Sequence, residues 1–238
     1  MGKKFVLIHG AWHGGWVWDG VVSELQKAGH AAEAPTMPGH NSNDNRSGIT
    51  FKNYSDKIVS VLESQSEPVV LAGHSSGGFM IQSAAQKVPG KVSHLIFLNG
   101  FILPDGMAQF DIVPPEVAQG MTAAAQASPD NCVPIDEGFV RGVLMAGESS
   151  VVQDALISKL VPQPLALFTT KVDIKDFYNM KTPKTVVFCK DDISLPPGAY
   201  LGMAQGLGDF TLIEVPGGHE TLYARPKAVT DAFIKAVS

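Results

Sequence analysis

A chain of 238 residues with 45% hydrophobic and 17% charged residues is long enough to bury one sizeable core and too apolar to be disordered. Its formal net charge of -5, with no block of lysines or arginines, argues against nucleic acid and anionic membranes as partners. The two cysteines, Cys132 and Cys189, lack metal-ligand spacing, which argues against a disulfide framework and for a reducing cytoplasm.

Phe5-Val6-Leu7-Ile8 is a fully apolar, β-favouring run, the pattern of a strand buried on both faces of a parallel sheet. It is too short for an export signal, and no other apolar run has the length needed to span a bilayer. The glycine-rich turn His9 to Trp16 lacks both the GxGxxG spacing and the lysine of a P-loop. From Val17 to Lys27, Trp18, Val21, Val22 and Leu25 recur at helical spacing, and Ala28-Gly29 closes that helix. A short strand is expected over His30 to Ala34, a loop over Pro35 to Gly48, and a helix over Phe51 to Leu62 capped by Thr50.

The next stretch carries the chemistry. Val69-Val70-Leu71-Ala72 reads as a strand and Gly78 to Ala85 as a helix, and between them stands Gly73-His74-Ser75-Ser76-Gly77. A serine on so sharp a turn needs glycines two residues to either side, because side chains there would collide with the strand and the helix. The hydroxyl of Ser75 then projects above the sheet, near the free N–H groups at the helix N-terminus. That is a nucleophile's setting. Another strand is expected over Val92 to Leu98.

After Asn99-Gly100 the alternation breaks. From Phe101 to about Met180 no convincing strand appears. Helix-like pieces at about Pro115 to Ala127, Asp136 to Met145 and Val151 to Leu160 read as an inserted helical lid. Strands return at Thr185 to Cys189 and Asp209 to Val215, and a last helix spans about Pro226 to Val237. The expected division is therefore a core of residues 1–102 and 181–238 with a cap of residues 103–180. Its fold class is α/β, a mostly parallel sheet with helices on both faces.

A nucleophilic serine needs a base, and the base needs an acid that fixes its tautomer. On such a sheet both come from loops after later strands, in the order serine, acid, histidine. His219, in Pro216-Gly217-Gly218-His219 after the last strand, is the expected base. Asp191 and Asp192, after the Thr185 to Cys189 strand, are both candidates for the acid. An oxyanion would be held by two backbone N–H groups, one from Ser76 and one from the loop after the first strand, where Ala11 is the expected position. No metal or organic cofactor is called for.

With these residues in place the chain resembles the α/β-hydrolase superfamily, and within it the branch of plant methylesterases, hydroxynitrile lyases and related bacterial esterases. The resemblance rests on Phe5 to Trp18, Ala28-Gly29-His30, Gly73 to Gly78 and the interval Asp192 to Pro196. It is strong over the core and weak from about Leu103 to Met180. In this family the acid stands four residues before the proline, which implies Asp192. Two departures stand out. Ser76 replaces the usual Leu or Met after the nucleophile. Glu220 occupies the place directly after the histidine where the lyases carry a lysine for the cyanide leaving group.

The resemblance implies a serine hydrolase cleaving a small to medium carboxylic ester, with Ser75, His219 and Asp192 as triad and Ala11 and Ser76 N–H groups as oxyanion hole. A lactonase or other C–O or C–C hydrolase would use the same residues. A hydroxynitrile lyase and a non-enzymatic small-molecule receptor on the same fold are the other readings. The expected partner is a small ester, a homodimer is compatible with the sequence, and Phe110, Met121, Phe139, Met145 and Phe168 are candidate apolar pocket residues.

Overall fold

A computed structural model describes residues 2–238. Six strands, β1 (Lys4–Ile8), β2 (Ala31–Glu33), β3 (Val69–His74), β4 (Val92–Leu98), β5 (Lys184–Cys189) and β6 (Thr211–Val215), form one sheet in the order β2-β1-β3-β4-β5-β6. Every neighbouring pair is parallel. All carboxyl ends therefore lie along one edge, and the loops leaving them converge there.

The side chains of β1 show how the layers are built. Phe5 and Leu7 pack with Trp18, Val21 and Leu25 of the first helical region and with Phe233. Val6 and Ile8 point the other way, toward Tyr54, Ile58, Phe79 and Met80. Alternation along one strand thus serves two apolar layers. Helices α1 (Asp19–Lys27) and α6 (Pro226–Ala236) cover one face, and α2 (Phe51–Glu63) and α3 (Gly77–Ala85) the other.

The helix ends follow the local chemistry. At the end of α1, the His30 N–H bonds Leu25 O at 3.0 Å and the Gly29 N–H bonds Gln26 O at 3.0 Å, with Gly29 at φ 84°. This double closure needs a left-handed residue, which glycine supplies without strain. At the start of α2 the Asn53 side chain accepts from the Thr50 N–H at 2.8 Å. Thr50 therefore caps in part through its backbone, a detail its residue type alone does not reveal.

Residues 103–180 add no strand to the six-stranded sheet. They contain α4 (Pro115–Gln126), α5 (Ser150–Ile157) and, where a helix was expected over Asp136 to Met145, a short α-turn Glu137–Phe139 running into a π-type turn Val140–Leu144. The expectation of no strand here is corrected by a two-residue antiparallel ladder, Cys132–Val133 against Gln163–Pro164. So short a ladder leaves no period-2 signature, and its proline cannot donate to it. Both cysteines are free and buried.

Trp12 joins this segment to the loop after β1. Its N–H bonds Gln163 Oε1 at 3.1 Å, its indole N–H bonds Val133 O at 3.2 Å, and its carbonyl accepts from Val161 N–H at 3.0 Å. Trp12 thus tethers two parts of the chain while its ring also packs against the apolar core. Among the described residues, no helix is long and apolar enough to cross a membrane.

Candidate active site

The turn after β3 is as tight as its glycines require. A Cβ on Gly73 would lie 2.5 Å from Gly77 O, one on Gly77 2.6 Å from Ile8 O, and one on Gly78 2.4 Å from Phe101 O. Ser75 sits at φ 53°, in the left-handed region that non-glycine residues rarely occupy. Three backbone bonds hold it there: Ser75 N–H to Leu98 O at 3.3 Å, and Gly78 and Phe101 N–H to Ser75 O at 2.9 and 3.0 Å. Neighbouring strands over-determine the strained residue.

The loops after β5 and β6 bring Asp192 and His219 together. His219 Nδ1 lies 2.7 Å from Asp192 Oδ2, and both side chains are almost fully buried. The Ser194 N–H donates to Asp192 Oδ1 at 2.8 Å, and the Asn99 amide donates to Asp192 Oδ2. Asn99 is itself fixed, since its Oδ1 accepts from Cys189 N–H at 2.7 Å and its backbone is at φ 38°. Burial opposes the charge on Asp192, yet the His219 imidazole and the Ser194 donors outweigh it and hold the carboxyl well below its usual range. Burial also opposes protonation of His219, but Asp192, its hydrogen bond and the nearby Glu220 outweigh it and raise the imidazole.

Ser75 and His219 line one cavity of about 460 Å³, although no hydrogen bond joins Ser75 Oγ to the imidazole among the described residues. Such bonds are often long without substrate and tighten in the reacting complex. Ala11 and Ser76 also line the cavity, and neither backbone N–H bonds an acceptor within the described residues. Phe110, Met121, Phe139 and Phe168 form much of the apolar wall. Met145 does not: it packs with Val140, Leu144 and Leu156 outside the wall.

Four polar neighbours of the candidate site were not anticipated from the sequence. Asn99 and Ser194 donate to Asp192, Gln109 accepts from Ser76 Oγ at 2.8 Å, and Tyr200 places its hydroxyl 3.4 Å from His219 Nδ1. Only Ser194 carried a signal, because a serine two residues after an aspartate in a turn commonly caps it. The others are brought in by tertiary folding.

A family model described as the alpha/beta hydrolase family matches residues 5–232. The chain belongs to this family. Among its relatives, Methylesterase 1 of Arabidopsis thaliana is 28% identical over 98% of this chain and 95% of that protein. An alpha-hydroxynitrile lyase of the same plant is 23% identical over 96% of this chain and 94% of that protein. A solved extracellular alpha/beta-hydrolase from a Paenibacillus species superposes with a TM-score of 0.93 at 29% identity, covering 98% of both chains. That hydrolase is described as sharing structural and functional homology with tobacco salicylic acid binding protein 2. Within one family, then, close similarity spans different reactions, and the choice between them rests on the site.

Proposed function

We propose that this chain is a serine esterase that cleaves a small to medium carboxylic ester through an acyl-enzyme. The observation that carries the reading is the Asp192–His219 hydrogen bond of 2.7 Å on the wall of the cavity into which the strained Ser75 turn opens. His219 Nδ1–H is committed to Asp192, so Nε2 carries the free lone pair and acts as base. Ser75 Oγ attacks the ester carbonyl and its proton passes to His219 Nε2. The oxyanion is held by the N–H groups of Ala11 and Ser76. His219 then protonates the departing alkoxide, and water, deprotonated by the same imidazole, releases the acid.

The apolar, aromatic wall suits a hydrophobic acyl or alcohol group, and the volume sets its modest size. Residues 103–180 supply part of that wall, including Phe110, Phe139 and Phe168, and act as a cap over the core of residues 1–102 and 181–238. A carboxyl group at Glu220, which also lines the cavity, opposes an anionic cyanide leaving group and ranks ester cleavage above cyanohydrin cleavage.

The test is labelling with a fluorophosphonate probe, followed by a panel of small esters and mandelonitrile. The expected result is labelling of the wild type, none of Ser75→Ala, and turnover of esters. Equal labelling of both proteins, or cyanide release without ester cleavage, overturns the reading.

A further inference from the structure

Beside the Ser75 turn, buried polar atoms of His13, His74 and Glu220 have no hydrogen-bond partner among the described residues. His219 gives its Nδ1–H to Asp192 at 2.7 Å, which leaves a lone pair on Nε2. His74 Nε2–H donates to His219 O at 3.1 Å, leaving a lone pair on Nδ1, which has no partner. His13 Nδ1–H donates to Ala11 O at 2.7 Å, leaving an unpartnered Nε2. Glu220 is 2% exposed, and neither carboxylate oxygen has a hydrogen-bond partner among the described residues. Its Oε1 lies 3.4 Å from His13 Nε2. The tautomers are assigned from the bonds each ring makes to an oxygen that can only accept.

One ligand atom each from His74, His219 and Glu220 falls within 4.8 Å of the other two. Buried polar atoms without partners are costly, and a convergent set of lone pairs is satisfied by a cation. Two or three imidazoles with one carboxylate suit zinc-like ions, whereas calcium and magnesium require oxygen ligands. Each ring also has its other nitrogen bonded to an oxygen, the arrangement that orients metal-binding histidines. A tetrahedral ion with bonds of about 2.0–2.1 Å draws its ligands to roughly 3.4 Å apart. Glu220, whose carboxylate makes no hydrogen bond and is approached only by His13 Nε2 at 3.4 Å, is the ligand that moves to close that gap.

We propose that His74 Nδ1, His219 Nε2 and the Glu220 carboxylate, with His13 behind it, form a binding site for a divalent transition-metal ion of the zinc class. Occupation takes the lone pair with which His219 would deprotonate Ser75, so the ion is a reversible inhibitor. The inhibition rests on the esterase reading above. The binding does not.

Cobalt(II) serves as the spectroscopic probe, added to Ser75→Ala protein so that no turnover enters the measurement. The expected result is one equivalent bound with visible d–d bands, displaced by zinc and abolished by EDTA, and affinity weakened by about 10- to 100-fold when Glu220→Gln is added. Paramagnetic proton spectra should show exchangeable, strongly shifted imidazole N–H signals from at least two histidines, a readout that needs no Glu220 variant. Absence of the bands, equal affinity with Glu220→Gln, or fewer than two such signals overturns the site. Binding without inhibition of the wild-type esterase by zinc overturns only the inhibitory role.

Discussion

Asp191 and Asp192 are consecutive, yet their carboxylates serve different loops: Asp192 Oδ2 meets His219 Nδ1 at 2.7 Å, while Asp191 Oδ2 accepts from Gly217 N–H at 2.8 Å. Asp191 N–H also donates to Gly217 O at 3.0 Å, so this residue clasps the turn that carries His219. The two substitutions should therefore separate. Asp192→Asn leaves His219 with the wrong tautomer and should lower kcat by about 10⁴. Asp191→Ala should cost about 1–2 kcal/mol of stability through the freed Gly217 N–H, with a much smaller fall in kcat. Steady-state kinetics and thermal melts of both variants check this, and an equal fall in kcat would contradict it.

Much of this arrangement was legible in the sequence because its causes are local. The four-residue run Phe5 to Ile8 has the pattern of a doubly buried strand, and Gly73 and Gly77 flank Ser75 because backbone oxygens stand 2.5 and 2.6 Å from where a Cβ would be. His219 was legible from its place after a strand. Between Asp191 and Asp192 the residue types decide nothing, since both are turn aspartates, and only the family spacing favoured the second. Asn99, Gln109 and Tyr200 were illegible for a different reason. Each acts through a partner distant in sequence, Asp192 for Asn99 and Ser76 for Gln109, and no periodicity records such a pairing. The ladder at Cys132–Val133 was too short to leave a pattern.

The Asn99 amide bridges Asp192 and the Cys189 N–H, so its removal should disturb both position and stability. Asn99→Ala leaves a buried backbone N–H unpaired, at a cost of about 1–3 kcal/mol. It also lets the acid reorient, and we expect kcat to fall about tenfold or more while KM changes little. Denaturant unfolding and steady-state kinetics supply both numbers. An unchanged kcat would show that Ser194 alone fixes Asp192.

The pH dependence follows from the direction in which His219 is shifted. Burial lowers it, but Asp192 and Glu220 together raise it above its ordinary value of 6.5. In the proposed mechanism His219 must be neutral to act as base, so kcat/KM measured in EDTA should fall with acid along a limb whose midpoint lies above pH 6.5. Stability has the opposite sense. A raised folded-state value stabilises fully below 6.5, and that contribution is lost as pH rises through the folded value. Asp192 is held well below 3.8, so its contribution is present above 3.8 and is lost as pH falls toward its depressed value. A kinetic midpoint at or below 6.5 would contradict the assignment.

Two glycine-to-alanine changes should have opposite signs. At Gly78 the new Cβ would stand 2.4 Å from Phe101 O and 3.0 Å from Phe101 N, backbone atoms of a residue whose N–H is bonded to Ser75 O. Gly78→Ala should therefore destabilise by at least about 2 kcal/mol and lower the yield of folded protein. Gly120 lies inside α4 with nothing within 4 Å of the position. Gly120→Ala should raise stability by about 0.5–1 kcal/mol, because alanine loses less backbone entropy in a helix. Differential scanning calorimetry of the pair distinguishes the steric cause from a general dislike of substitution.

Ser76 and Gln109 supply a sharper test, because their bond joins the residue after Ser75 to the segment of residues 103–180. Ser76 Oγ donates to Gln109 Oε1 at 2.8 Å, and both side chains are buried. Ser76→Ala keeps the backbone N–H, so the change in kcat should stay within about threefold, but it strands the Gln109 oxygen at a cost of about 1–3 kcal/mol. Gln109→Leu likewise strands the serine hydroxyl. With both changes made no polar atom is left without its partner, and the double variant should be more stable than the sum of the single losses predicts by about 1 kcal/mol or more. A thermodynamic cycle from denaturant unfolding measures this coupling. Strict additivity would mean that the bond contributes nothing beyond the two side chains taken separately, and that the segment is held over the cavity by Trp12 and apolar packing instead.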